Sequence, residues 1–168
     1  DRVGDAILQK IDLSENLIDT ASIKNGKFSF KQNIKEEELY RLKFFDGTSF
    51  DILANIGENI SIKYIGDNLT VEGSVGTKKI IDIDDKLYSL LLYRDSLTKE
   101  LQSISDDENY ESKSIEARQE FFIALSKHQE YLKSFISKNS DSKVCLIALF
   151  QNYGQSSPVL TVDEHLET

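Results

Sequence analysis

Apolar and polar residues alternate with a period of two in the first half of the chain. Phe28 and Phe30, for example, alternate with lysine and serine, which places both rings on one face of a strand. Asn25–Gly26 and Asp46–Gly47 separate such segments, and both pairs are typical of hairpin turns because they tolerate positive φ. The predicted strands are 3–11, 16–24, 27–33, 39–45, 48–54, 58–65 and 69–72. About seven short strands at this spacing predict an antiparallel sandwich.

The second half changes to a period of three to four residues, which is typical of amphipathic helices. One helix is predicted from about Ile80 to Ile104 and a second over residues 112–138. The second helix is predicted to carry on one face the residues Ile115, Phe122, Leu125, Leu132 and Ile136. A third helix is predicted over residues 142–153, with Gly154 at the position after its C-cap. A capping box at 161–164 predicts the start of a fourth helix.

The fold class is therefore predicted to be α+β, with an N-terminal antiparallel β-sandwich followed by a C-terminal helical region of three to four helices. The glycines support a domain boundary between the two, since seven of the eight glycines lie in residues 1–76 and the single proline is Pro158. We predict a sandwich domain over residues 1–76. We predict a helical region over residues 77–168.

The charge balance argues against nucleic acid as a partner. The chain has 29 acidic and 20 basic residues and a net charge of −9, whereas nucleic acids are bound mainly by lysine and arginine. The same balance disfavours an anionic membrane surface. No apolar stretch reaches the ~18 residues of a membrane span.

No residue pattern predicts a catalytic centre, a cofactor or a metal site. Cys145 is the single cysteine and lies among apolar residues, so we expect a buried core residue without dithiol chemistry. His128 and His165 do not have zinc-ligand spacing, and the polar neighbours of His128 predict a surface position. The acidic residues that follow Ile81 resemble the start of a calcium loop but lack its glycine and its final glutamate.

The aromatic residues give one candidate binding surface. It consists of residues in adjacent predicted strands, namely Tyr40, Phe44, Phe45, Phe50 and Tyr64. Core packing is the default interpretation of these positions, and rings that face solvent there would instead form a binding patch.

An ordered series of motifs resembles a known family. The series consists of Asn25-Gly-Lys-Phe-Ser-Phe30, Leu39-Tyr-Arg-Leu42, Asp51-Ile-Leu with Gly57-Glu-Asn-Ile-Ser-Ile62, and Leu69-Thr-Val-Glu-Gly73-Ser74. It resembles the domain of unknown function that precedes the thioredoxin-like domain in Bacteroidetes thiol-disulfide oxidoreductases of the TlpA/AhpC-TSA type. The resemblance implies that the helical region over residues 77–168 leads toward a C-terminal, thioredoxin-like domain. That domain and its Cys-x-x-Cys motif are not in this sequence, so no active-site residue of that family maps onto it.

The resemblance implies a non-catalytic, N-terminal accessory domain of an extracytoplasmic oxidoreductase, in the periplasm or anchored to the envelope as a lipoprotein. Its implied partners are the thioredoxin-like domain of the same protein, substrate proteins or a second copy of itself. The alternative is a free-standing envelope module that binds carbohydrate or peptide. An enzyme with an unrecognised carboxylate site is a third hypothesis, which would require acids that converge in a cleft.

Overall fold

A computed structural model describes residues 4–12, 17–65, 68–106, 108–154 and 157–161, with only the backbone described at residues 64, 65 and 68. The strands are β1 Gly4–Lys10, β2 Leu17–Ile23, β3 Glu38–Phe44, β4 Ser49–Ala54, β5 Ser61–Ile65, β6 Asn68–Glu72, β7 Asn152–Gly154 and β8 Ser157–Pro158. The helices are α1 Val75–Ser103, α2 Tyr110–Lys138 and α3 Val144–Leu149. The protein is thus a mixed α+β protein with antiparallel sheets, as the sequence predicted.

The chain divides into two compact units. The first comprises Asp1–Ile81 together with Ser142–Val144, and the second comprises Asp82–Asp141 together with Cys145–Thr168. The predicted boundary after residue 76 stays a prediction about domain organisation.

A four-stranded antiparallel sheet in the order β2-β1-β3-β4 forms the centre of the first unit, and β5 pairs with β6 in a separate hairpin. Every second residue of the central strands faces one apolar core, which contains Ala6, Leu8, Tyr40, Leu42, Phe44, Ile52 and Ala54. Partly buried side chains cover this face, namely Ile23, Phe28, Phe30, Ile34, Phe50, Ile60 and Ile62.

The Asn25–Gly26 turn is confirmed. Asn25 and Gly26 both have positive φ, 51° and 70°, which is what a type I′ turn requires. The amide groups of Lys24 and Lys27 each donate to the carbonyl of the other, at 2.9 and 3.0 Å.

The predicted strand over residues 27–33 is wrong. Beyond the bridge at Lys27, residues 28–34 are not in a strand. Phe28 is held through its ring, whose centroid lies 5.5 Å from that of Phe44 and 5.7 Å from that of Phe30. The alternation of Phe28 and Phe30 with polar residues therefore reflects burial of the two rings and not pairing in a sheet. A sandwich of seven strands is not confirmed.

Helix α1 begins against strand β4 within the first unit. The Thr77 hydroxyl accepts a hydrogen bond from the Leu53 amide at 3.1 Å and lies 3.0 Å from the Leu53 carbonyl. The buried Ser74 hydroxyl donates to the same carbonyl at 2.8 Å and accepts from the Thr77 amide, as an N-cap residue does. The two hydroxyls thus satisfy the amide and the carbonyl of Leu53, and the Ser74 hydroxyl also satisfies one free amide at the start of the helix.

The third helix is shorter than predicted, since α3 ends at Leu149 and Gly154 belongs to strand β7 instead of following a helix. The chain leaves the helix because its backbone pairs with the segment after it: the Val159 amide donates to the Gln151 carbonyl at 2.9 Å. The fourth helix, predicted from 161, lies outside the described residues, as does His165. None of the described helices is both long enough and apolar enough to cross a membrane.

Candidate functional site on helix α2

Helix α2 has two apolar faces, of which only one is buried. His128, Leu132 and Ile136 recur every four residues and form the buried stripe. Phe122 and Ile123 lie on the other side of the helix and expose 68% and 55% of their surface. Single exposed apolar residues are ordinary, but a group of large ones on one short segment indicates a binding surface.

A shallow groove of about 370 Å³ runs between these exposed side chains. It is lined by Arg118, Gln119, Phe122 and Ile123, and it opens widely to solvent. Ile115 lies one helical turn before Gln119 and is 51% exposed, so it extends the same apolar surface. We call these five residues the α2 groove. Its shape suits a protruding side chain of a partner better than an enclosed small molecule.

The charged residues around the groove differ in whether they have a hydrogen-bond or ion-pair partner. Lys113 and Glu116 form an ion pair at 3.0 Å, and Glu120 accepts a hydrogen bond from the Tyr93 hydroxyl at 2.8 Å. That hydrogen bond raises the pKa of the Tyr93 phenol, with smaller contributions from burial and from the charge of Glu120. Within residues 113–123, all of which the structure describes, Arg118 alone among the charged side chains has no hydrogen-bond or ion-pair partner.

Sequence reasoning did not predict the groove. It placed Ile115 and Phe122 on the same face as Leu132 and Ile136, but only the latter two are buried. Heptad spacing brought these residues together, and an α-helix drifts by ~20° per heptad relative to that spacing. Phe122 and Ile115 lie two and three heptads before Ile136, so the drift reaches about 40–60° and turns the N-terminal part of the apolar stripe away from the buried residues.

The five aromatic residues of the predicted binding surface are not brought together in solvent. Tyr40 and Phe44 are buried in the core of the sheet, and Phe50 lies half-buried with its ring 6.1 Å from that of Phe44. Phe45 is 61% exposed, and the Tyr64 side chain lies outside the described part of the structure. Of the described side chains in this set, Phe45 alone is placed to meet a ligand, and its role in binding stays a prediction.

His128 is buried, with 7% of its surface exposed, so the predicted surface position is wrong. Gln151 Nε2 donates to the Ile83 carbonyl at 3.2 Å, which leaves Gln151 Oε1 as the acceptor for His128 Nε2 at 2.9 Å. His128 therefore carries its proton on Nε2. Its sequence neighbours are polar, but residue 128 is four positions before Leu132 and shares its buried face.

His128 is held by a polar contact and a ring contact within the second unit. Burial lowers the pKa of His128 and outweighs the opposing hydrogen bond to Gln151, while the Lys86 charge lowers the pKa further. The ring stacks on Tyr131, whose hydroxyl donates to Asp82 at 2.8 Å. Burial, together with this hydrogen bond, raises the pKa of Tyr131, so its phenol stays protonated near neutral pH.

The remaining chemical candidates do not converge. Cys145 is partly buried in α3. Within the described parts of the chain, no three His, Cys, Asp or Glu side chains are grouped so as to hold a metal ion. Glu37 instead serves packing in the first unit: it accepts hydrogen bonds from the Ser142 hydroxyl and from the Lys143 amide.

Comparison with known proteins gives one match. Residues 4–80 are similar to a family described as "Domain of unknown function (DUF4369)". No curated protein matches the chain. No solved structure matches it either. The matched residues contain the sheet, the β5–β6 hairpin and the start of α1, whereas the α2 groove lies outside them.

Proposed function

We propose that this chain is a non-catalytic, N-terminal accessory domain of an extracytoplasmic thiol-disulfide oxidoreductase. It binds protein, and so contributes to positioning the redox domain, to recognising substrate proteins or to self-association. The observation that carries the binding role is the α2 groove, where Phe122 and Ile123 remain largely exposed beside Arg118.

The redox context is supported by the motif series, whereas the family match supports only the domain itself. Residues 4–80 are similar to the domain of unknown function named above. The ordered motif series also resembles the segment that precedes the thioredoxin-like domain in Bacteroidetes oxidoreductases. In this proposal the thiol chemistry belongs to that following domain, and the parent protein is located in the periplasm or is anchored to the envelope as a lipoprotein.

The gene that encodes this chain provides the first test. We expect a thioredoxin-like domain with a Cys-x-x-Cys motif to be encoded after Thr168. An open reading frame that ends without one would contradict the oxidoreductase context.

The second test uses the full-length protein. Phe122→Ser in the α2 groove should reduce the rate at which a protein disulfide such as that of insulin is exchanged. The rate with a small disulfide substrate should be unchanged, because the redox centre itself is intact. Tyr88→Ser is the matched control, since Tyr88 is 61% exposed on α1 but does not line the groove. Equal losses with both substrates, or with the control, would contradict a binding role.

A carbohydrate- or peptide-binding module is the second candidate function, and the exposed ring of Phe45 favours it. Aromatic rings that face solvent are typical of sugar-binding surfaces because their faces stack on apolar sugar faces. Binding of the chain to immobilised envelope glycans, lost in Phe45→Ser, would support this function over the first.

A further inference from the structure

We infer that residues 151–154 and 157–160 form a strap across helices α1 and α2, and that this strap opens in mildly acidic solution when the buried His128 ring takes up a second proton. The strap comprises strands β7 and β8 together with Gln151, Val159 and Leu160. The inference goes beyond the proposed function and concerns the second compact unit alone.

The strap is fastened to both helices. Arg94 of α1 donates to the Tyr153 carbonyl at 2.7 Å, and the Tyr153 ring lies 6.1 Å from that of Phe121 on α2. The Gln129 side chain of α2 donates to the Val159 carbonyl at 2.7 Å. These contacts join separate elements, so they can break together while the backbone hydrogen bonds of both helices persist.

Both ends of the strap are buried, and the first end contacts His128 directly. Val159 and Leu160 expose 1% and 0% of their surface. Gln151 donates to the Ile83 carbonyl of α1 at 3.2 Å, and its amide oxygen accepts from His128 Nε2 at 2.9 Å. The strap therefore covers a titratable ring that is itself 7% exposed.

A second ring proton is disfavoured while the strap is closed. That proton would lie on Nδ1 of His128, which has no acceptor among the described residues. Burial is the main reason that the pKa of His128 is lowered, and the charge of Lys86 on α1 lowers it further against the opposing hydrogen bond to Gln151.

The charged groups around the ring do not offset that cost. Asp82 of α1 accepts from the Tyr131 hydroxyl at 2.8 Å and lies 3.6 Å from Lys86 Nζ, so its charge is already engaged. On α2 itself, Lys127 and Glu130 are exposed. Within the described residues, no carboxylate forms a hydrogen bond or an ion pair with the ring.

Opening of the strap removes the cost, because water then reaches both ring nitrogens of His128. Proton uptake therefore favours the open form, and its population rises as the pH falls. For one proton the rise between pH 7 and pH 5 is at most about 25-fold, the limit for a histidine that titrates near pH 6.5 only when the strap is open. A steeper rise would require further groups.

The opening has one consequence that rests on the proposed function. In the proposed parent protein a redox domain follows residue 168, so an open strap would lengthen the tether of that domain. A gene that encodes no thioredoxin-like domain would remove this consequence and contradict the proposed function, but it would not affect the opening itself.

Amide hydrogen exchange followed by NMR tests the inference on the intact chain. The reporter is the Val159 amide, which donates to the Gln151 carbonyl at 2.9 Å, and the reference is the amide of the fully buried Leu132 within α2. After correction for the intrinsic effect of pH on exchange, the protection of Val159 should fall about three- to 25-fold from pH 7 to pH 5.

The effect of urea separates local opening from unfolding of the whole unit. Low urea concentrations should leave the exchange of Val159 nearly unchanged, because a local opening exposes little surface. Leu132 should be at least about tenfold better protected, and its exchange should accelerate with urea. Equal protection and equal urea dependence of the two amides would overturn the inference, as would a Val159 amide whose protection does not change with pH.

Variants assign the pH response to His128. His128→Gln, which does not titrate, should abolish the change in Val159 protection between pH 7 and pH 5. Lys86→Gln should reduce it, since one cause of the lowered pKa is removed. The matched control is Lys99→Gln, an exposed cation of the same helix, which should respond as the wild type does. A full response in His128→Gln, or equal responses of Lys86→Gln and Lys99→Gln, would overturn the inference.

Discussion

His128 Nε2 lies 2.9 Å from Gln151 Oε1, and both side chains are almost fully buried. Because Gln151 also donates to the Ile83 carbonyl, it links helix α2 to the backbone of helix α1 and to the segment that follows α3. This polar contact lies within the second compact unit, where it satisfies groups that would otherwise be buried without partners.

Replacing one partner of this pair should destabilise the protein. His128→Leu leaves the Gln151 amide oxygen buried without a donor, and we expect a loss of about 1–3 kcal/mol in the free energy of unfolding. Urea denaturation followed by circular dichroism measures it. In a double-mutant cycle with Gln151→Leu, the double variant should lose less than the sum of the single losses. Strict additivity would contradict the coupling.

The same pair predicts a dependence of stability on pH. Burial lowers the pKa of His128 below its ordinary value of 6.5, so below pH 6.5 the unfolded chain binds a proton that the folded chain does not. Stability should therefore fall as the pH is lowered from about 7 to about 5. His128→Asn, which does not titrate, should have a flatter profile over this range. An identical slope in wild type and variant would contradict the prediction.

A second pH effect is expected in more acidic solution, from Glu38. Burial tends to raise the pKa of Glu38, but hydrogen bonds from Lys10 at 2.8 Å and from Lys143 at 3.3 Å outweigh it and hold the pKa below its ordinary value of 4.5. The stabilisation is present above pH 4.5 and is lost as the pH falls through the lowered pKa. Glu38→Gln should remove this acid-dependent part, whereas Glu36→Gln, at a more exposed carboxylate, should change it less.

Gly73 should be intolerant of any side chain. Its φ is +84°, and a Cβ placed there would lie 2.0 Å from the Asn59 carbonyl oxygen. Gly57 is the matched control, because its φ is +76° but a Cβ there would meet nothing within 4 Å. Gly57→Ala should cost about 1–2 kcal/mol, the usual cost of positive φ for alanine. Gly73→Ala should cost clearly more, as measured by thermal unfolding, and equal losses would contradict the contact.

Most elements of the fold could be predicted from local pattern. The Asn25–Gly26 turn requires a conformation that few residue pairs adopt, and the two long helices have apolar periodicities that strands cannot use. The segment around Phe28 was predicted wrongly, because rings that are buried by packing alternate just as residues in a strand do. The early end of α3 was also missed, since it depends on pairing with residues near Val159.

The candidate site was harder to predict than the fold. The sequence offered the aromatic residues of the strands as a binding surface with core packing as their default interpretation, and Tyr40 and Phe44 are core residues. The α2 groove was not predicted because periodicity places Phe122 on the apolar side of a helix but does not say whether a partner element covers it. The sequence did not identify Arg118, because whether an arginine has a partner within the protein depends on the packing around it.

The sequence by itself determined the Asn25–Gly26 turn, most strands of the first half, the two long helices and the change from strands to helices between them. These follow from backbone preferences and from the spacing of apolar residues, which act over a few positions. Tertiary structure alone decided that His128 is buried with Gln151 while Phe122 remains in solvent. The physical reason is that burial depends on which other elements cover a face. His128 and Gln151 are 23 positions apart in sequence, and only the packing of the second unit brings them into contact.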